Sequence, residues 1–202
     1  MSIVIYSRII HFTRVLVFVM LAACVTSTSV YAVPTDALVQ LFYPIEWQSI
    51  NEAATSTNPA VKELFEPDEN RDNFGNRMKT FYRGMTTTDY NNLRNSNRVP
   101  STSETCVSPN EEYARRYATR PGETLAQIRV KHSLLVVLLL QGSAGQGVQQ
   151  LGGPLSNLEP NSRGWTDRLE VMFKKEDNVV NICLGVRGVE LFKVEHVEAV
   201  ES

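Results

Sequence analysis

Arg83 closes an apolar run, Phe81-Tyr82-Arg83-Gly84, at the point where a strand would end. A guanidinium there can offer two parallel N–H groups to a phosphate, which an ammonium cannot reproduce. Downstream, Thr105-Cys106-Val107-Ser108 is a short hydroxyl-bearing stretch that leads straight into an amphipathic helix start. Later in the chain, Glu170 opens the apolar run Val171-Met172-Phe173, and Glu176 follows it in a polar turn. A cation at a strand end, a hydroxyl-bearing strand and a later carboxylate together suit an anionic dinucleotide.

Each of these residues also has a plainer use. Arg83 would form a structural ion pair, Ser108 would cap the following helix, and Glu170 would be an exposed strand residue. Tyr82, Tyr113 and Trp165 would stack on a ring of the ligand or fill the core. Glu176 is the reserve candidate for the acid.

The elements that must position these residues follow from local signals. Asp36 is placed to cap a helix over Ala37–Phe42 that Pro44 ends, and Ile45–Ala54 and Ala60–Phe65 read as further helical turns. Met78–Arg83 reads as the first strand. Asp89–Arg94 reads as a short helix capped by one of the threonines at 86–88. A second strand is expected around Glu104–Val107. Ser108-Pro109-Asn110-Glu111-Glu112 has the hydroxyl, proline and acids of a helix start. Thr124–Val130 reads as a strand. Leu134–Leu140 is an apolar run of strand length for which a helix is the alternative. Gln141–Trp165, rich in glycine, proline and asparagine, reads as a long loop. Leu169–Lys174, Val179–Leu184 and Val189–Val194 read as antiparallel strands separated by tight turns. The fold class expected is α+β, with early helices and a mostly antiparallel C-terminal sheet.

The chain has 202 residues, which suits one domain with a substantial core. Its 20 basic and 22 acidic side chains give no basic surface for a nucleic-acid backbone. The first residues differ in kind: Arg8 and Arg14 precede the apolar Val15–Ala23, and a small-residue stretch ends at Val30-Tyr31-Ala32. That order is a secretory signal, residues 1–32, with cleavage after Ala32 and residues 33–202 as a single domain. No stable membrane span remains after cleavage. Leu21-Ala22-Ala23-Cys24 resembles a lipobox, so a periplasmic chain, or one anchored through a lipidated Cys24, is the alternative to secretion. Removing the signal leaves Cys106 and Cys183, either paired or as two buried thiols. No cysteine or histidine spacing points to a metal.

Tyr82-Arg83-Gly84, then Thr105-Cys106-Val107-Ser108 with Tyr113-Ala114 on the next helix, then Leu169-Glu170-Val171-Met172-Phe173, resemble in order and spacing the three motifs of the mono-ADP-ribosyltransferases of the cholera- and pertussis-toxin type. The resemblance runs from about Phe81 to the C-terminus. It implies an ADP-ribosyltransferase-like split of mostly antiparallel sheets behind N-terminal helices. It also implies NAD as substrate, Arg83 and Glu170 as catalytic residues, and Arg83, Ser108, Tyr82 and Tyr113 around the NAD. The implied function is that of a secreted bacterial toxin or effector that transfers ADP-ribose to a macromolecular target, a host or competitor protein. An NAD glycohydrolase on the same fold is the second reading. It is favoured by Arg168, which stands where arginine-modifying members carry Glu or Gln two residues before the catalytic acid. A catalytically inactive exported binding module is the third.

Overall fold

The computed structural model describes residues 35–101, 105–161 and 171–201. The expected signal segment with Cys24, Glu104, and the stretch that holds Trp165, Arg168, Leu169 and Glu170 lie outside the described residues. Three helices open the described chain: α1 (Thr35–Phe42), α2 (Pro44–Ala53) and α3 (Pro59–Phe65). Helix α1 begins one residue before Asp36, so Asp36 sits in the first turn rather than capping it. Its carboxylate instead accepts from the Arg77 backbone N–H at 2.9 Å. Helix α3 starts on Asn58, whose side chain accepts from Ala60 N at 3.1 Å, with Pro59 in the first turn.

Next come β1 (Met78–Thr86), α4 (Thr87–Ser96), β2 (Thr105–Val107), α5 (Glu111–Arg115) and β3 (Glu123–Lys131). They are followed by α6 (Leu134–Gln141), β4 (Gly142–Ala144), two short 3₁₀ turns at Gln149–Leu151 and Gly153–Asn157, and β5 (Glu159–Pro160). The chain ends with β6 (Val171–Glu176), β7 (Val179–Leu184), α7 (Val186–Leu191) and β8 (His196–Ala199). The strands form two sheets, ordered β1-β3-β8 and β2-β7-β6-β4-β5. All pairings are antiparallel except β4 with β5 and with β6. The α+β class is therefore as expected.

Three local expectations are corrected. Leu134–Leu140 is the helix α6, with Leu135, Val136 and Leu138 fully buried. A run that is apolar all round suits a helix whose remaining sides are partly covered as well, and its two valines do not oppose that. Val189–Val194 is not a strand: α7 takes its first half, and buried Val189 and Phe192 lie three apart, the spacing of one helix face. The last strand is instead β8, a polar edge strand against β3 whose weak apolar alternation hid it. The expected loop Gln141–Trp165 also contributes β4 and β5 to the larger sheet.

Two buried polar residues lock β1 and the segment after β3 onto the helices. Lys79 Nζ donates to the carbonyls of Glu63 and Glu66 at 2.5 and 2.8 Å, so a buried cation closes the C-terminal end of α3. Burial lowers the pKa of Lys79, opposed by the charges of Asp68, Glu63 and Glu66. His132 bonds through Nε2 to the Phe65 carbonyl at 2.6 Å and packs edge-on to Trp47. Its burial pushes the imidazole down to about 4.

Candidate functional site

On β1 the side chains of Phe81, Arg83 and Met85 share one face, because neighbours two apart in a strand point the same way. Phe81 and Met85 are core residues, so the register carries Arg83 inward between them. Its guanidinium Nη1 donates to the Cys106 carbonyl at 2.6 Å, while Nε is buried with no hydrogen-bond partner among the described residues. Burial lowers the pKa of Arg83, and Asp89 is the charge that opposes it. An arginine stays cationic even so, and it is held by a neutral carbonyl rather than a paired carboxylate.

The two sheets meet beside Arg83. Tyr82 N donates to Ser108 O at 2.7 Å and Ser108 N donates to Tyr82 O at 2.9 Å, an isolated bridge between β1 and the residue after β2. A cleft of about 240 Å³ opens at this seam. Ser108 lines it and is buried, and its Oγ accepts from Asn110 N at 3.2 Å. The cap of α5 is Asn110, whose side chain accepts from Tyr113 N at 2.7 Å. The expected cap role of Ser108 is thus passed two residues on.

The floor of the cleft comes from β6 and β7. On these strands Val171, Phe173, Val180, Ile182 and Leu184 belong to the hydrophobic core. Alternation sends Lys174, Glu176, Asn181 and Cys183 to the opposite face. Lys174 and Asn181 are direct cross-strand partners, and both line the cleft together with Glu176. Lys174 Nζ lies 2.9 Å from Glu176 Oε1. Cys183 is disulfide-bonded to Cys106, its register partner on β2, so these two thiols are paired. Glu176, expected in a turn, is the last residue of β6; Asp177, with φ of 52°, makes the turn instead.

Helix α5 and its exit form the remaining wall. Tyr113 Oη donates to Glu176 Oε2 and lies 3.1 Å from Tyr117 Oη. Arg116 pairs with Asp177 at 2.8 Å and sits over the Tyr113 ring, which joins the wall to the β6–β7 turn at a second point. The wall comes this close because residue 84 is glycine. A Cβ there would lie 2.4 Å from both the carbonyl carbon and oxygen of Tyr117.

Of the residues singled out from sequence, Arg83, Tyr82, Ser108, Tyr113 and the reserve acid Glu176 line this one cleft. Glu170 lies outside the described residues. Sequence reasoning missed Lys174, Asn181 and Tyr117 as cleft residues. The available signal was a lysine and an asparagine set into otherwise apolar strands, at positions that alternation sends to the same face. The arrangement provides an anion-binding guanidinium, a carboxylate held by a lysine and a tyrosine, and aromatic walls. The PT3 toxin domain matches residues 77–198, more than half of the chain, and the match includes every cleft residue named above. No curated protein matches the chain.

Proposed function

Because the chain belongs to the PT3 toxin domain family, we propose that it is an exported toxin that uses NAD as a substrate and transfers its ADP-ribose to a macromolecular target. One observation carries this reading: Arg83 is part-buried at the seam of the two sheets, held by a carbonyl, and its buried Nε has no hydrogen-bond partner among the described residues. A guanidinium in that setting suits a phosphate oxygen of a dinucleotide. The cleft is smaller than the roughly 300–1,000 Å³ of a complete ligand pocket. It fits the reacting end of NAD, with the remainder lying along the surface.

In the proposed reaction the bond between the nicotinamide nitrogen and the ribose C1′ breaks, and nicotinamide leaves with the electron pair. The ribose carries the resulting positive charge, which a nearby carboxylate stabilises. A target nucleophile then bonds to C1′ and gives up its proton. The motif assigns the carboxylate to Glu170. Glu176 is the reserve, and it is the acid that lines the cleft among the described residues. Tyr82, Ser108 and Tyr113 would contact the sugar and ring portions. Arg168 supports a second reading, an NAD glycohydrolase in which water replaces the target.

The test follows nicotinamide release and transfer of an adenylate label to lysate proteins, for the wild type and for Arg83→Ala, Glu170→Gln and Glu176→Gln. Release with labelled protein, lost in Arg83→Ala and in one of the two glutamine variants, supports the transferase and identifies its acid. Release without labelling supports the glycohydrolase. Full activity in Arg83→Ala would remove the basis of the proposal.

A further inference from the structure

Asn181 stands out on β7, where every other residue from Val179 to Leu184 is apolar and the whole strand is buried. Asn181 is only 2% exposed, and its Oδ1 has no hydrogen-bond partner among the described residues. An unpaired buried amide oxygen costs stability, and a valine or alanine would serve the strand without that cost. Its register explains where the oxygen is used. Alternation places Asn181 on the cleft face between Lys174, its cross-strand partner, and Cys183, two residues along the same strand. The same cleft holds the second orphan, Arg83 Nε. The two sheets thus each bring to this cleft a residue with one unmet buried polar atom, an N–H on β1 and an oxygen on β7.

We propose that Asn181 is a ligand-binding residue of this cleft, accepting a hydrogen bond from the substrate while Arg83 holds its phosphate. The ligand must therefore carry an anionic oxygen and, beyond it, an O–H or N–H donor. This rests on the NAD reading and refines it. At the reacting end of NAD, the part this cleft would hold, the donor is either a ribose hydroxyl or the carboxamide of nicotinamide, and ADP-ribose keeps the first while lacking the second. A carboxamide that serves the ligand and not the fold has an unusual signature: its removal weakens binding without weakening the protein.

The experiment compares wild type, Asn181→Val and Asn181→Ala by calorimetric titration with NAD and with ADP-ribose, alongside thermal unfolding without ligand. Arg83→Ala serves as the binding control. The expected result is NAD affinity at least tenfold weaker in both Asn181 variants, with unfolding temperatures equal to or above wild type. An equal loss for ADP-ribose assigns the contact to a ribose hydroxyl, and a loss confined to NAD assigns it to the nicotinamide amide. If wild type binds NAD, Arg83→Ala does not and the Asn181 variants bind like wild type, the inference fails while the NAD reading stands. If both Asn181 variants unfold several degrees lower, the carboxamide is structural and the inference is overturned. If wild type binds neither ligand, the NAD reading fails and takes this inference with it.

Discussion

The Cys106–Cys183 bond closes a loop across a sequence separation of 77 residues, and its effect on stability can be worked from that number. Chain entropy removed from the unfolded state by a loop of that length corresponds to about 4.5 kcal/mol at 25 °C. A chain of this size loses roughly 2 kcal/mol of stability per molar urea, so the bond is worth about 2 M in the unfolding midpoint. The perturbation is Cys106→Ala with Cys183→Ala, beside wild type reduced and alkylated, each unfolded in urea and followed by far-ultraviolet circular dichroism. Both treatments should lower the midpoint by about 2 M, with a steeper slope because the unfolded chain is freed to expand. The acceptor for Arg83 is the backbone carbonyl of Cys106, which the alanine variant keeps. Ligand binding should therefore survive wherever the variant is folded. A midpoint shift below about 0.5 M would refute the loop argument and mean that the unfolded chain is already restrained by other structure.

Two further perturbations test the frame around the cleft. Gly84→Ala forces a Cβ to within 2.4 Å of the Tyr117 backbone, so the wall must move. A loss of about 3 kcal/mol is expected, seen as a fall of roughly 6–12 °C in unfolding temperature, and an unchanged temperature would show that the wall yields without cost. His132, neutral when folded because burial holds it at about 4, titrates near 6.5 when unfolded. Its folded value lies below its unfolded one, so the unfolded state takes up the extra proton. Stability from this group is complete above pH 6.5 and falls away towards pH 4, by at most about 3 kcal/mol. His132→Gln should flatten unfolding temperature against pH across that interval, and an unaltered profile would assign the acid sensitivity to other groups.

Much of this architecture could be read from local patterns. Thr86 caps α4 as expected, accepting from Asp89 N at 3.1 Å, and β1, β3, β6 and β7 fall where apolar strand residues cluster. Arg83 was legible as a cation closing an apolar run, although β1 runs on to Thr86 and sets it within the strand between Phe81 and Met85 rather than at its end. What escaped notice depends on three-dimensional neighbours. Helix α6 and strand β8 were hidden because an all-round apolar run and a polar edge strand both lack a decisive period. Glu176 was set aside because acids are ordinary in turns, and only the positive φ at Asp177 shows that the turn begins one residue later. Asn181 was passed over because an asparagine in an apolar strand acquires functional meaning only when it is found buried without a partner. The disulfide was open for a similar reason, since nothing local aligns β2 with β7.

The bridge between Tyr82 and Ser108 is also where the two sheets are fastened to each other. Two backbone hydrogen bonds and the Arg83 contact fasten β1 to β2, while β2 itself is covalently fixed to β7 through Cys106 and Cys183. Were the bridge to part, β2 would stay with the larger sheet and keep the Cys106 carbonyl there, while Arg83 would leave with β1. The guanidinium and the floor of the cleft thus belong to different sheets, which share one hydrophobic core. A ligand gripped from both sides would tie the two sheets together at the cleft, so occupancy and rigidity of the seam would rise together.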